Sequence, residues 1–186
     1  PNDSWDAAIQ RAVDAGIVVV AASGNEDYIN SMSLPAAYSN VVSVGAVYDS
    51  NLGGINWGDC TDTSTFADKV TCFSNSASFL TMLAPGSIIS AANIEMSGTS
   101  QATPHVAGAA AVLRAAYPND NVSQIVTRLR QGKNVTDTRN NIVTPRLDMV
   151  TALGNQNGYT LVANVNPSGT GQISPSGGIF THGATV

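Results

Sequence analysis

The chain opens on a helical rhythm, with apolar side chains at Trp5, Ala8, Ile9, Ala12 and Val13 in i, i+3, i+4 spacing. Asp3 or Ser4 stands where a cap is wanted, and Gly16 where a left-handed residue ends a helix. The rhythm then vanishes. Residues Ile17 to Ala22 are continuously apolar and largely β-branched, the pattern of a strand covered on both faces, and they run into Ser23-Gly24-Asn25. Val41 to Val47 repeats this texture and predicts a second buried strand. Helix, tight turn and buried strand together predict an α/β layered fold around a parallel sheet.

Between Tyr48 and Ser76 the chain is polar and Gly-bearing, as expected of a surface excursion. Phe79 to Leu83 and Ile88 to Ala91 are short strand candidates, separated by a turn at Ala84-Pro85-Gly86. From Thr99 to Tyr117 alanine dominates. The stretch Ala107 to Leu113 offers no polar face, so the pattern predicts a helix buried in the middle of the domain, with Pro104 near its start and Pro118 past its end. Asn121-Val122-Ser123-Gln124 has the form of a capping box for a helix stopped by Gly132, and Arg146 to Leu153 reads as a last short helix stopped by Gly154. Beyond that the texture changes: residues 155–158 read as a linker, and 159–186 as hairpin-forming β sequence with Pro-Ser-Gly turns.

Composition narrows the function classes. Only 11% of the 186 residues are charged, and eight Lys plus Arg against thirteen Asp plus Glu leave a net charge of -5. Such a surface has no basic patch for a phosphate backbone or anionic lipid, so nucleic-acid and membrane partners are disfavoured. No apolar stretch reaches the ~20 residues of a spanning helix. The two cysteines, Cys60 and Cys72, stand twelve positions apart in a turn-rich stretch without a second Cys or His pair. That suits a local disulfide in an oxidising compartment better than a metal site, two free thiols being the alternative.

The chemistry concentrates in Ser97-Gly98-Thr99-Ser100-Gln101-Ala102-Thr103-Pro104-His105-Val106-Ala107-Gly108. It sets a serine at the start of a helix, where unpaired N–H groups and the positive end of the dipole favour an oxyanion. Taken alone, Gly-Thr-Ser is an ordinary helix cap. The whole string resembles the nucleophile motif of the subtilisin-like serine proteases, G-T-S-x-A-x-P-H-V-A-G. Val18 to Asn25 resembles that family's V-V-V-A-A-x-G-N segment, Val42 to Val47 its V-x-V-G-A-V strand and Ala84-Pro85-Gly86 its A-P-G turn, over roughly residues 1 to 154.

The resemblance implies a three-layer parallel-sheet subtilisin-like α/β fold, present in part, followed by a short all-β C-terminal segment like the start of a bacterial β-repeat module. It implies Ser100 as nucleophile, the Asn25 amide and the Ser100 N–H as oxyanion hole, and Ala22, Ser23 and Gly24 as one wall of a side-chain pocket, with Thr99 supporting the oxyanion site. Gln101 stands where many members carry Met, which removes a route to oxidative damage beside the nucleophile. A secreted endopeptidase acting on polypeptides, made with an N-terminal propeptide, is the implied whole. No cofactor is needed for the chemistry; structural calcium is common in the family, but Asp59, Asp62 and Asp68 read as solvated loop carboxylates rather than ligands.

A serine needs a base, and only two histidines are present. His105, five residues after Ser100, is rotated ~140° around the helix from it and reads as structural. His182 lies after the nucleophile, whereas the family order is Asp, His, Ser. The Asp and His are therefore expected upstream of Pro1. Two other readings compete: a catalytically inactive subtilisin-like scaffold used for binding or adhesion, and an α/β-hydrolase with Asp137 or Asp148 and then His182 completing the order.

Overall fold

The computed structural model describes residues 3–154, 158–162 and 177–181. The elements follow in the order α1 (Asp3–Asp14), β1 (Val20–Ala22), β2 (Val42–Val47), β3 (Ile55–Asn56), β4 (Thr61–Asp62), β5 (Met82–Pro85), β6 (Ile89–Ala91), β7 (Ile94–Met96), α2 (Thr99–Ala116), α3 (Val122–Leu129), β8 (Asn134–Thr136), β9 (Val143–Pro145), α4 (Met149–Ala152), β10 (Gly158–Val162) and β11 (Gly177–Thr181). The expected parallel sheet is there, in the order β1-β2-β5, with Val20 beside Val42 and Val44 beside Met82.

Alternation along β2 explains the layers. Val42, Val44 and Ala46 face Ala102, Val106, Ala109 and Leu113 of α2, and Ile125 and Leu129 of α3 join the same cluster. On the other face Ala21 and Val41 meet Ile9 of α1, while Val47 and Leu83 meet Val70, Ala77, Leu80 and Val135. Helices on both faces of a parallel sheet are the architecture that continuous β-branched strands require. The capping box at α3 is formed as expected: the Asn121 side chain accepts from Gln124 N–H, and the Gln124 side chain from Asn121 N–H.

Several expectations are corrected. The first strand is three residues long and only half buried, pairing among the described residues with β2 alone, and Ile17, three residues before it, is 56% exposed. Helix α2 is not buried all round. Ala102, Val106, Ala109, Ala110 and Leu113 form a covered stripe, while Ala107, Gly108, Ala111 and Val112 are exposed. Ala84 and Pro85 belong to β5 rather than to a turn, and Phe79 precedes that strand. The helix expected from Arg146 to Leu153 is shorter: Arg146 makes an isolated parallel bridge to Leu83, and only Met149–Ala152 form a helix, α4, whose first turn is capped by Asp148 through Val150 and Thr151 N–H. The hairpins β3-β4 and β8-β9 have too few residues to show a period of two.

The excursion from Tyr48 to Ser76 is only partly at the surface. Cys60 and Cys72 are joined by a disulfide, and Trp57 stands edge-on to Phe73 at 5.1 Å. Asp62, expected to be solvated, is buried beneath this staple; its Oδ2 accepts from the Tyr48 hydroxyl at 2.7 Å and Cys72 N–H at 2.8 Å, and its Oδ1 meets Lys69 Nζ at 2.6 Å. Burial alone would raise the Asp62 pKa, but the hydrogen bonds and the lysine charge outweigh it and hold the carboxyl below its ordinary value. Asp68 pairs with Lys133 and Arg146, and Asp59 is exposed.

Candidate active site

The carboxyl ends of β1 and β5 and the start of α2 converge on one place. Gly98, with φ +152°, precedes α2 and donates its N–H to Gly86 O at 2.8 Å. A Cβ on Gly86 would lie 2.7 Å from Gly98 O, so the pair must both be glycine for the helix to seat against the end of β5. This close approach is what Ala84-Pro85-Gly86 supplies.

Asn25 follows β1 and reaches across to the helix. Its Oδ1 accepts from Thr99 N–H at 2.8 Å and from Thr99 Oγ1 at 2.9 Å, and Thr99 Oγ1 in turn accepts from Gly24 N–H at 3.2 Å. With its oxygen fully engaged, Asn25 keeps both Nδ2 protons for an outside acceptor; among the described residues that nitrogen has no partner. Gln101 and Ala102 N–H both turn to Gly98 O. Among the described residues, Ser100 N–H is the one amide of the first helical turn without an acceptor. Ser100 is exposed and is the second helical residue, where the dipole's positive end acts on any negative charge nearby.

The structure brings together Asn25, Thr99 and Ser100, with Gly24 bonded to Thr99. Ser23 is fully buried: its hydroxyl donates to Asn75 O at 2.9 Å, its N–H donates to Val44 O at 2.9 Å, and its carbonyl oxygen accepts from Ser33 N–H at 2.9 Å and Asn75 Nδ2 at 3.1 Å, so every polar group of the residue is spent inside the protein. Ala22 is half buried at the strand end. Beside Ser100 a groove of about 510 Å³ is lined by Ile89, Ile94, Met96, Gln101 and His105, among others. Gln101 Nε2 lies 3.8 Å from Met96 Sδ.

No base is poised at the serine among the described residues. His105 Nδ1 donates to Gln101 O at 2.9 Å, one helical turn back, which is the structural use expected of it. His182 lies outside the described residues. Asp137 is bound by Arg139 through both carboxylate oxygens, and Asp148 caps α4 through Oδ1, so of the two carboxylates of the hydrolase reading one is fully paired and the other is spent in part on a helix cap.

Sequence reasoning missed Asn75 and Arg139. Asn75, fully buried, makes bonds to Ser23, Gly24, Glu26 and Tyr28. Arg139 gathers Asp137, Asp27 Oδ1, Cys72 O and Ser74 O. Burial would lower the Arg139 pKa, but its two carboxylates raise it, and the same pairing holds Asp137 below the ordinary carboxyl value against its own burial. A polar run such as Ser74-Asn75-Ser76 reads locally as loop, and nothing in it announces partners some 50 residues away.

The chain is similar to known proteins over most of its length. The model of the subtilase family (Peptidase_S8) matches residues 1–168. Subtilisin DY of Bacillus licheniformis is 37% identical over 130 residues, covering 66% of this chain and 41% of its own length. The extracellular serine proteinase of Thermus sp. strain Rt41A is 34% identical over 135 residues, covering 69% of this chain and 29% of its own. Among solved structures, the prenylagaramide maturation protease PagA superposes with a TM-score of 0.63 at 25% identity, covering 81% of this chain and 55% of that one. A protease of Pseudoalteromonas arctica gives 0.62 at 26%, covering 81% and 46%. The chain thus spans well under half the length of these two curated relatives.

Proposed function

Since the chain belongs to the subtilase family, we propose that it is the nucleophile-bearing part of a secreted serine endopeptidase. Ser100 Oγ attacks a peptide carbonyl carbon as its proton passes to a histidine base, and the carbonyl oxygen becomes an anion. Asn25 Nδ2–H and Ser100 N–H donate to that anion. Collapse expels the amine, which takes the proton from the imidazolium, and water then hydrolyses the acyl-enzyme by the same steps in reverse. The histidine and its carboxylate are supplied by a segment preceding Pro1, and the segment Ala22 to Gly24, with Ser23 buried beneath it, forms one wall of the pocket for the residue before the cut bond.

The observation that carries this reading is the pair of unspent donors, Asn25 Nδ2 and Ser100 N–H, at the start of α2, with Asn25 Oδ1 occupied by Thr99. Secretion is supported by the Cys60–Cys72 disulfide, since such bonds persist in oxidising compartments, and by the extracellular proteinase among the relatives. Polypeptide is the substrate class, an N-terminal propeptide belongs to the precursor, and residues 159–186 begin a β module.

The test is labelling of the full-length gene product with a fluorophosphonate. Labelling that disappears in Ser100→Ala supports the protease. A folded wild type that does not label points to the binding scaffold instead, a reading to which the absence of a base near Ser100 among the described residues would then belong.

A further inference from the structure

Asn25 is the only side chain that the proposed oxyanion hole takes from outside α2, yet it stands on an exposed loop, and Thr99 fixes only its tip. Something must fix the loop's backbone. Asn75 lies fully buried behind it and spends every hydrogen-bonding group it has on that one segment. Its main-chain N–H donates to Gly24 O at 2.9 Å, and its main-chain O accepts from Ser23 Oγ at 2.9 Å. Its side-chain Oδ1 accepts from Glu26 N–H and from Tyr28 N–H, each at 3.0 Å. Its Nδ2 donates to Ser23 O at 3.1 Å and to Glu26 Oε2 at 2.6 Å, with Ser33 Oγ at 3.4 Å.

These partners bracket Asn25 on both sides in sequence. A Cβ on Gly24 would sit 2.3 Å from Asn75 Nδ2, so the loop is pressed against the amide with no slack. We infer that Asn75 is a positioning residue for the oxyanion site, setting the backbone at Gly24 and Glu26 so that the Asn25 amide meets the developing anion. The inference rests on the oxyanion reading of Asn25. No other amino acid reproduces the set: Asp lacks the donors, Ser the reach, and Gln is one methylene too long for a fully packed site.

The experiment is a double-mutant cycle on the full-length gene product, read as kcat on a peptide substrate. Asn75→Asp keeps the two bonds to Glu26 and Tyr28 N–H but turns an anion toward the Glu26 carboxylate and Ser23 O. A displacement near 1 Å at a catalytic group costs up to ~10²-fold, so a fall of ~10- to 10²-fold is expected. In an Asn25→Ala background the same substitution is expected to change kcat less than about twofold, because the group being positioned is gone. A loss of equal size in both backgrounds, or wild-type kcat in Asn75→Asp, overturns the inference. If Asn25→Ala alone leaves kcat unchanged, the oxyanion reading itself has failed, and Asn75 falls with it. Should Asn75→Asp not fold, the pair Asn75→Asp with Glu26→Gln restores the contact with donor and acceptor exchanged; a folded pair is expected to keep kcat within ~10-fold of wild type, and a folded pair with the full loss overturns the proposal.

Discussion

Replacing Asp62 by Asn tests whether the stapled excursion is an energetic unit. The side chain is 5% exposed and serves three donors, Tyr48 and Cys72 N–H on one oxygen and Lys69 on the other. Asn can keep its oxygen where Tyr48 and Cys72 need it, but it then presents an NH₂ group to the lysine ammonium. Removing one partner of a fully buried pair costs about 3–5 kcal/mol. Lys69 is 18% exposed and also donates to Ser64 O, so it can turn toward water, and the loss approaches that of one charge-assisted bond, ~2–3 kcal/mol. At ~2–4 °C per kcal/mol for a domain of this size, Tm at pH 7 should fall by ~4–12 °C, measured by circular dichroism. Since the folded-state pKa of Asp62 lies below its ordinary 3.8, the stability it contributes is complete above that value and disappears as pH falls through the lower one. The gap between wild type and variant should therefore be constant from pH 7 to about 5 and close on further acidification below ~4. A Tm drop under 1 °C at pH 7, or a gap undiminished at pH 2, refutes the reasoning.

Three further outcomes are expected. Thr99→Val removes the hydroxyl that joins Gly24 N–H to Asn25 Oδ1 and should cost ~1–3 kcal/mol in denaturant unfolding and lower kcat, while Thr99→Ser keeps both bonds and recovers most of the loss. Replacing Cys60 and Cys72 together by Ser opens a loop of sequence separation 12 and should cost ~3 kcal/mol, read as a shift of the unfolding midpoint and matched by wild type under reductant. Gly132→Ala places a Cβ 1.9 Å from the Arg146 carbonyl oxygen, a backbone atom that cannot swing aside, so a loss of at least ~2 kcal/mol is expected; wild-type stability would show that the segment between α3 and β9 yields freely.

What the sequence made legible is local. Continuous β-branched runs announce β2, the Asn121 and Gln124 pair announces α3, and the motif around Ser100 places a serine at a helix start. Helix α2 misled because a stretch of alanine looks the same whether or not a neighbour covers it, so periodicity could not reveal that Val112 is half exposed. Asp62 and Asn75 misled for a different reason. Each looks like a loop residue among loop residues, and its burial depends on partners 7 to 14 positions away for Asp62 and 42 to 52 away for Asn75. Hydropathy carries no record of such contacts.

The loop that holds Asn25 has a consequence for the order of assembly. Its partners arrive late along the chain: Asn75 some 50 residues on, Thr99 74 residues on and Arg139 112 residues on. Contacts of such separation close slowly, because the entropy of a large loop must be lost before any of them contributes. During synthesis, the residues proposed to bind the oxyanion emerge without the groups that shape them, and Arg139 cannot reach Asp27 until nearly the whole α/β layer has been made. The geometry of the proposed site is thereby tied to completion of the fold: a chain interrupted before α3 would carry Ser100 beside a loop whose contact with Arg139 had not yet closed.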